Sequence, residues 1–384
     1  MDAADFDAIL DSVRTFVRER VLPREDEIEE TDAFPTDLRE QVAAMGLFGF
    51  SIPEEHGGLG LTVEEQVRVV MELGYTSPAL RSLVGTNNGI AGHVLIEGGT
   101  EEQKEEWLPK IASGEVLAAF GLSEPDAGSD PSTLTTRAVR DGDEWVITGT
   151  KRYITNSVNG DAIFVFARTV PDAPPTRGIA NLIVPADTPG LTIGPKDKKM
   201  GQAGAWSADV ILDGARVPHA NLIGGDDGVT TGFGTAMRCL AHGRLHIAAL
   251  SVGIAQRAVD EMVAWAQNRV QGGKPIAQHQ LVQGLVADSV TDLHAGRALV
   301  LDAARRYDEG IDVRMGPATA KYFCSEMAGR VTDRCVQVHG GAGYIRGVAA
   351  ERFYRHARLL RIYEGTSQIQ QTVIAKTVLG EAAR

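Results

Sequence analysis

Hydrophobic positions near the N-terminus recur with the period of an α-helix. Phe6, Ile9 and Val13 follow one another at spacings of three and four residues, and such spacing places apolar side chains on one face of a helix. The same period returns over residues 37–48 and 63–75. The first part of the chain is therefore predicted to be helical.

The pattern changes in the middle of the chain. Short runs rich in β-branched and aromatic residues are bounded by Gly, Pro and Asp, which is typical of strands joined by turns. These runs are residues 145–149, 162–167, 180–185 and 208–212. No helical segment separates them, so a small β-sandwich or barrel is expected.

A helical period dominates again towards the C-terminus. Three long segments carry it, namely residues 245–270, 281–308 and 317–338. Long helices with apolar stripes and short connections predict a helical bundle.

The order helix, strand, helix predicts an α+β fold that is mostly α-helical. We expect an N-terminal helical domain over residues 1–115, a middle β-barrel or sandwich domain over 116–225, and a C-terminal four-helix bundle over 226–384.

Composition narrows the function classes. The 384 residues carry a net charge of −13, which disfavours a nucleic-acid partner because phosphate contacts need a basic surface. No apolar run reaches membrane-spanning length. The acidic N-terminus lacks the basic start of a secretory signal. A cytoplasmic protein without a membrane span is expected.

The cysteines do not suggest a disulfide framework or a metal site. There are three, Cys239, Cys324 and Cys335, and neither their number nor their spacing forms pairs. A reducing compartment is consistent with this set, and no metal ligands are predicted.

Residues 362–370 contain the strongest candidate for catalysis. Glu364 follows a return to apolar sequence, and a carboxylate that loses hydration there becomes a stronger base. Gly365 permits a tight turn, while Thr366 and Gln368 offer hydrogen bonds to a ligand. The alternative is a solvated glutamate at a helix cap.

Two further segments have the composition of a ligand site. Gly and Pro shape an irregular loop over residues 120–130, whose N–H groups and hydroxyls can face a polar ring or a phosphate. Tyr153 stands two residues before Thr155, so an aromatic ring can stack on a flat heterocycle beside a hydroxyl. Ordinary turns and a strand end are the alternatives.

Two segments at helix ends can bind phosphate. Arg269 lies where two long helices meet, and a guanidinium pairs well with phosphate oxygens. A Gly-rich turn over residues 337–344 contains His339. The alternatives are a dipole contact for the arginine and a Gly-rich C-cap for the turn. No glycine motif of a Rossmann fold is present.

Taken together and in this order, the motifs resemble the acyl-CoA dehydrogenase family over the whole length of the chain. The resemblance implies a helical N-terminal domain, a β middle domain and a C-terminal four-helix bundle. It also implies that Glu364 takes the α-proton of an acyl-CoA thioester while the β-hydrogen leaves as hydride to N5 of FAD. The product is a trans-2-enoyl-CoA.

The resemblance assigns roles to further residues. Those around the flavin ring are Phe120, Leu122, Ser123, Gly128, Ser129, Tyr153, Ile154 and Thr155. Those near the adenine end are Thr366, Ser367 and Gln368. Those serving FAD of a neighbouring subunit are Arg269, His279, Gln280, Gln337, Val338, Gly340 and Gly341. Those near the substrate are Ser129, Arg244 and Gly365.

Three positions depart from common family patterns, and a fourth position bears on the choice of base. Some members carry the catalytic glutamate where this chain has Gly243, so Glu364 has no rival there. Tyr153 stands in place of a frequent Trp, Gly272 in place of a Phe that contacts FAD, and Ala241 in place of a frequent Asp. The last two affect the expected FAD affinity and the acyl pocket, not the reaction class.

The resemblance also implies partners. Electrons would pass to an electron-transferring flavoprotein, within fatty acid β-oxidation, and the protein would form a homo-oligomer, a tetramer or a dimer. Two alternatives stay open, a flavin oxidase-type relative and a non-catalytic supporting subunit. Nitroalkane-type oxidases typically carry Asp at the base position, where this chain has Glu364. The acyl chain is left undetermined.

Overall fold

The computed structural model describes residues 2–380. The N-terminal domain is helical, as predicted, and two single π-turns, Val17–Val21 and Thr86–Ile90, interrupt it. Its helices are α1 Ala3–Phe16, α2 Glu25–Thr31, α3 Thr36–Ala44, α4 Val63–Leu73, α5 Pro78–Gly85, α6 Ala91–Gly98 and α7 Glu101–Ser113.

The middle domain is a curled sheet. Its strands are β1 Ala118–Gly121, β2 Arg137–Asp141, β3 Glu144–Thr155, β4 Ala162–Arg168, β5 Ile179–Pro185, β6 Leu191–Ile193 and β7 Ser207–Pro218. They pair in the order β1-β4-β2-β3-β7-β6, and β5 pairs with β4. All four predicted runs lie in strands, while β1, β2 and β6 were not predicted.

The C-terminal domain is helical and contains the longest helix described. Its helices are α8 Gly232–Asn268, α9 Gln280–Asp308, α10 Met315–His339, α11 Ala349–Leu360 and α12 Ser367–Leu379. A short hairpin of β8 Val270–Gln271 and β9 Lys274–Pro275 connects α8 to α9. No helix within residues 2–380 is long and apolar enough to cross a membrane.

Helix α8 begins 13 residues before the predicted segment at 245. Gly232, Gly234 and Gly243 weaken the helical signal of this first part, because glycine is unfavourable inside helices. The segment is helical because its small side chains pack closely: a β-carbon added at Gly232 would lie 2.7 Å from the backbone of Ala180 in β5. Tertiary packing therefore extends α8 beneath the sheet.

A buried ion-pair network joins the two helical domains. Glu25 of α2 accepts hydrogen bonds from Arg257 of α8 and Arg352 of α11, and all three side chains are buried. Buried charges that are paired and hydrogen-bonded hold their side chains in one geometry. Removal of one partner would strongly destabilise the fold, because it leaves a buried charge unpaired. The network holds α11, which leads into the segment of Glu364, against the N-terminal domain.

Candidate active site

Two adjoining cavities of about 680 and about 200 Å³ form one cleft where the three domains meet. Their sizes suit a ligand site. The residues that line both cavities are Thr86, Ile90, Ser123, Gly128, Ser129, Tyr153, Thr155, Tyr363, Glu364 and Gly365.

Glu364 reaches this cleft through an unusual backbone turn between α11 and α12. Its φ is 56° and that of Gly365 is 84°, and the left-handed region costs a residue with a β-carbon roughly 1–2 kcal/mol. Lys321 donates to the Gly365 carbonyl at 2.7 Å, and the Gln370 amide donates to the carbonyls of Glu364 and Gly365 at 3.1 and 2.9 Å. These bonds hold the strained turn in place.

The Glu364 carboxylate is poorly solvated. The residue is half-buried, but its Oε2 atom is buried and has no hydrogen-bond partner among residues 2–380. Burial raises the pKa of Glu364 above the ordinary 4.5, although the charges of Arg81, Arg244 and Lys321 oppose the shift. A buried carboxylate oxygen without a hydrogen-bond partner among these residues is suited to accept a proton.

Space for that carboxylate comes from Gly243 on α8. A β-carbon at residue 243 would lie 2.9 Å from Glu364 Oε2 and 3.1 Å from Cγ2 of Ile90. Heavy atoms do not pack that closely without displacement. Of the two positions 243 and 364, only residue 364 is a glutamate. The glycine at position 243 also makes room for the Glu364 carboxylate.

A buried ion pair supports the loop over residues 120–130. Glu124 accepts from Lys151 Nζ at 2.8 Å, from the Thr136 N–H at 2.8 Å, and from both the N–H and the hydroxyl of Thr135. Burial opposes the charge of Glu124, but attraction to Lys151 and these hydrogen bonds prevail and lower its pKa to about 2. The glutamate is therefore ionised and ties the loop to β3.

The end of β3 presents side chains to the cleft through another backbone irregularity. The pairing of β3 with β7 shifts register between Lys151 and Ile154, and Tyr153 has a φ of 60°. The Tyr153 side chain is consequently 67% exposed beside the cleft. Asn156, with a φ of 63°, donates to the Thr86 hydroxyl. The end of β3 is thereby fixed to the π-turn of the N-terminal domain.

The structure brings together the residues predicted around the flavin ring. The smaller cavity is lined by Phe120, Leu122, Ser123, Gly128, Ser129, Tyr153, Ile154 and Thr155, together with the predicted substrate residues Arg244 and Gly365. Thr366 lines the larger cavity. Ser367 lies outside the lining, where its hydroxyl donates to Glu326 at 2.6 Å, and Gln368 is exposed.

The remaining predicted residues lie at one end of the helical bundle. The rings of Trp265 and His339 stack at 4.8 Å, which brings the end of α8 beside the end of α10. None of this second group lines the cleft. Its members are Arg269, His279, Gln280, Gln337, Val338, Gly340 and Gly341. Val338 is buried in the core, so only its backbone can serve a ligand.

Sequence reasoning missed several residues of the larger cavity. Arg81, Ser82, Lys199 and Gln202 line it. Arg81 could have been noticed, because it is the one charged side chain in the mostly apolar helix α5. Gln202 carried no local signal, since its position depends on contacts with His356, which is far away in sequence.

Family comparison agrees with the architecture. Residues 4–115 match the acyl-CoA dehydrogenase N-terminal domain, residues 119–215 the middle domain, and residues 230–379 the C-terminal domain. Fold and cleft therefore define a flavin-dependent oxidoreductase. The chain belongs to the acyl-CoA dehydrogenase family.

Individual relatives cover nearly the whole chain. An acyl-CoA dehydrogenase of Bacillus subtilis is 37% identical over 96% of both chains. The CarC subunit of the caffeyl-CoA reductase-Etf complex of Acetobacterium woodii is 38% identical over 92% of both chains. Butyryl-CoA dehydrogenase from Megasphaera elsdenii superimposes with a TM-score of 0.93 at 32% identity, covering 99% of both chains.

FAD is the cofactor of this family, and the cleft fits it. A glutaryl-CoA dehydrogenase from Mycobacterium smegmatis in complex with FADH2 superimposes with a TM-score of 0.92 at 29% identity, covering 100% of this chain and 96% of that chain. In the present chain, the exposed ring of Tyr153 offers a stacking face. A β-carbon at Gly128 would meet nothing within 4 Å, so the loop leaves open space for a flavin.

Proposed function

We propose that the protein is an acyl-CoA dehydrogenase that removes the α- and β-hydrogens of an acyl-CoA thioester and forms a trans-2-enoyl-CoA. One observation carries the proposal. Glu364 is held in a strained turn with an unpartnered carboxylate in the cleft, beside the loop and strand end that suit a flavin.

Glu364 takes the α-proton. An α-proton next to a thioester is weakly acidic, so the base gains from the low hydration that raises its pKa. The positive charges of Arg81, Arg244 and Lys321 oppose this rise, because they favour the ionised form of the carboxylate. Positioning comes from the bonds of Lys321 and Gln370 to the turn.

The developing enolate needs a donor, because negative charge gathers on the thioester oxygen as the proton leaves. We assign the backbone N–H of Glu364 to that oxygen. Apolar walls formed by Ile90, Leu240 and Ile369 exclude water, which strengthens this electrostatic stabilisation. FAD supplies the acceptor for the β-hydrogen, which leaves as hydride.

Cofactor binding is divided between the cleft and a second subunit. The residues of the smaller cavity would hold the flavin ring, and Thr366 would hold the part of FAD that continues into the larger cavity. The bundle-end group would serve FAD in a neighbouring protomer, since it lies outside the cleft of its own chain. The proposal therefore includes a homo-oligomer, either a tetramer or a dimer.

We assign an electron-transferring flavoprotein as the redox partner, with a cytoplasmic location and a place in lipid metabolism. The relative named as a subunit of a reductase-Etf complex supports this partner. The word reductase in that relative's name describes the opposite direction, in which hydrogen is added to the substrate. The residues that remove a proton and a hydride from adjacent carbons serve equally for their addition, so the redox partner determines the direction.

The test begins with the visible spectrum of the purified protein. A flavin spectrum that is bleached by an acyl-CoA in the absence of oxygen is expected, with slow reoxidation by air and rapid reoxidation by an electron-transferring flavoprotein. Rapid reoxidation by O₂ would indicate the oxidase alternative. A protein that binds no flavin would indicate the supporting-subunit alternative.

A variant then tests the base. Glu364→Gln should retain FAD and bind acyl-CoA, while flavin reduction slows by about 100- to 10,000-fold. Glu106→Gln, which removes the same charge from an exposed position of α7, serves as the control and should react like the wild type. A Glu364→Gln protein that is reduced at the wild-type rate would contradict the assignment.

A further inference from the structure

Arg81 is buried in the cleft wall without a partner. Its side chain is 6% exposed, and its Nε atom is buried with no hydrogen-bond partner among residues 2–380. It lines the larger cavity together with Ser82 and Glu364. A buried charge normally has a counter-ion, because burial of an unpaired charge costs roughly several kcal/mol in lost hydration.

Two glycines make room for the Arg81 guanidinium. A β-carbon at Gly85 would lie 2.8 Å from Arg81 Cζ, and one at Gly89 would lie 3.6 Å from Nη2. Both glycines follow Arg81 at helical spacing on the wall formed by α5 and the π-turn. The planar head is thus packed into a fitted place in the wall rather than extended into solvent.

Glu364 is not the ion-pair partner of Arg81. Arg81 exerts the strongest of the three charge effects that lower the pKa of Glu364, yet burial still raises that pKa overall. The Oε2 atom of Glu364 also has no hydrogen-bond partner within the described part of the chain. The two groups influence each other across the cavity and leave the guanidinium free to bind an anion.

The separation between the two groups is short. Arg81 adjoins Gly89, and Glu364 adjoins Gly243, whose neighbour on the other side is Ile90. Residues 89 and 90 are consecutive, with Cα atoms about 3.8 Å apart. Arg81 and Glu364 also line the same larger cavity, an arrangement that suits a ligand with a short carbon chain between its α-carbon and a distal anionic group.

We propose that the substrate is a short ω-carboxyacyl-CoA, a thioester whose chain ends in a carboxylate that Arg81 binds. This inference rests on the proposed function. A guanidinium matches a carboxylate with two parallel hydrogen bonds, and the Ser82 hydroxyl on the same wall can donate another. The distal carboxylate is unchanged by the reaction, which still removes the α-proton to Glu364 and the β-hydrogen as hydride.

Matched thioesters test the proposal on the wild-type protein. Anaerobic flavin reduction is measured with glutaryl-CoA and adipoyl-CoA and with the neutral pentanoyl-CoA and hexanoyl-CoA of equal chain length. We expect a higher kcat/KM for the carboxylated member of each pair, by about 100-fold or more, because a neutral chain leaves the guanidinium unpaired. A preference for the neutral members would overturn the proposal.

Variants of Arg81 show whether this residue binds the distal carboxylate or only affects the pKa of Glu364. Arg81→Met should abolish the preference mainly through a raised KM for the carboxylated thioesters, and Arg81→Lys should restore part of it. Arg358 is exposed and adjoins Leu359, which lines the larger cavity, and Arg358→Met should keep the wild-type ratio. Because Arg81 also lowers the pKa of Glu364, a shifted pH profile is expected of Arg81→Met in either case. If the variant slows both kinds of substrate equally and keeps the wild-type ratio, Arg81 acts only on the base and the proposal fails.

The proposed function has its own signature in this experiment. If no thioester of either kind reduces a bound flavin, the dehydrogenase function fails, and the inference about Arg81 fails with it. If neutral thioesters reduce the flavin efficiently and the carboxylated ones do not, the function stands and the inference alone is refuted. Because the wild-type comparison decides between these results, poor folding of a variant does not affect the conclusion.

Discussion

The carboxylate of Glu364 packs directly against the backbone of Gly243, with only 2.9 Å between Oε2 and the place that a β-carbon at residue 243 would take. Two positions that are 121 residues apart in the sequence thereby constrain each other's side chains. The absence of a side chain on α8 permits the orientation of the base on the α11–α12 turn.

Gly243→Ala should therefore impair catalysis more than folding. The added methyl group would displace the carboxylate, and a misplaced reacting group commonly costs about 100-fold in rate. The measurement is the rate of anaerobic flavin reduction by the preferred acyl-CoA. Stability should change little, because alanine favours a helix over glycine by about 1 kcal/mol and offsets part of the strain.

Gly234→Ala is the matched control for this prediction. Residue 234 lies on the same helix, and the nearest atom to its added β-carbon would be the flexible end of Arg238 at 3.6 Å. This variant should reduce its flavin at the wild-type rate. Equal rates for Gly243→Ala and Gly234→Ala would show that the contact with Glu364 does not constrain the base.

The pH dependence of flavin reduction should report the burial of Glu364. Only the ionised carboxylate accepts a proton, so the rate rises with pH through its pKa and is constant above it. Since burial raises this pKa, the acid limb should lie above 4.5, the value for an exposed glutamate. Stopped-flow reduction from about pH 4 to 9 measures it. An acid limb centred at or below 4.5 would refute the prediction.

The ion pair beneath the flavin loop should be important for both stability and FAD retention. Lys151→Met leaves the Glu124 carboxylate buried without its cation, which typically costs about 3–5 kcal/mol. Urea unfolding and the flavin-to-protein absorbance ratio measure the two effects. Lys104→Met removes a surface pair with Glu101 and should cost at most about 1 kcal/mol.

The pH dependence of stability provides a second measurement on the same pair. The folded-state pKa of Glu124 is lowered to about 2. Its stabilising contribution is therefore fully present above the ordinary value of 4.5 and is lost as the pH falls through about 2. Lys151→Met should lose this dependence, and an unchanged acid unfolding curve would contradict the role of the pair.

Periodicity predicted the elements well where burial follows a regular stripe. The long helices α9 and α10 agree with the predicted segments to within two residues at each end. The start of α8 was not predicted, because its glycines serve close packing against β5 and the carboxylate of Glu364. Such reasons lie in distant residues and leave no periodic signal.

The candidate site was predictable in part for a similar reason. The loop over residues 120–130 and the segment of Glu364 have local compositions that indicate a ligand site, and the structure brings them together in one cleft. The left-handed backbone of Tyr153 and the unpaired state of Arg81 could not be predicted. Both depend on register and packing between domains.

The bundle-end group around Arg269 raises a question that a pair of variants can answer. Arg269 is exposed and lines neither cavity of its own chain. If it serves FAD of a neighbouring protomer, each complete site combines Glu364 of one chain with Arg269 of another. Arg269→Met alone should lower FAD retention, whereas Arg137→Met, at an exposed position of β2, should not.

Co-expression of Glu364→Gln and Arg269→Met chains should therefore restore activity beyond that of either variant alone. In a mixed oligomer, one site joins the intact Glu364 of the Arg269→Met chain to the intact Arg269 of the Glu364→Gln chain, while the reciprocal site carries both changes. Purification through two different affinity tags isolates the mixed oligomers, and anaerobic flavin reduction measures their activity. No recovery beyond the separate variants would show that Arg269 acts within its own chain, and the shared cofactor site would be refuted.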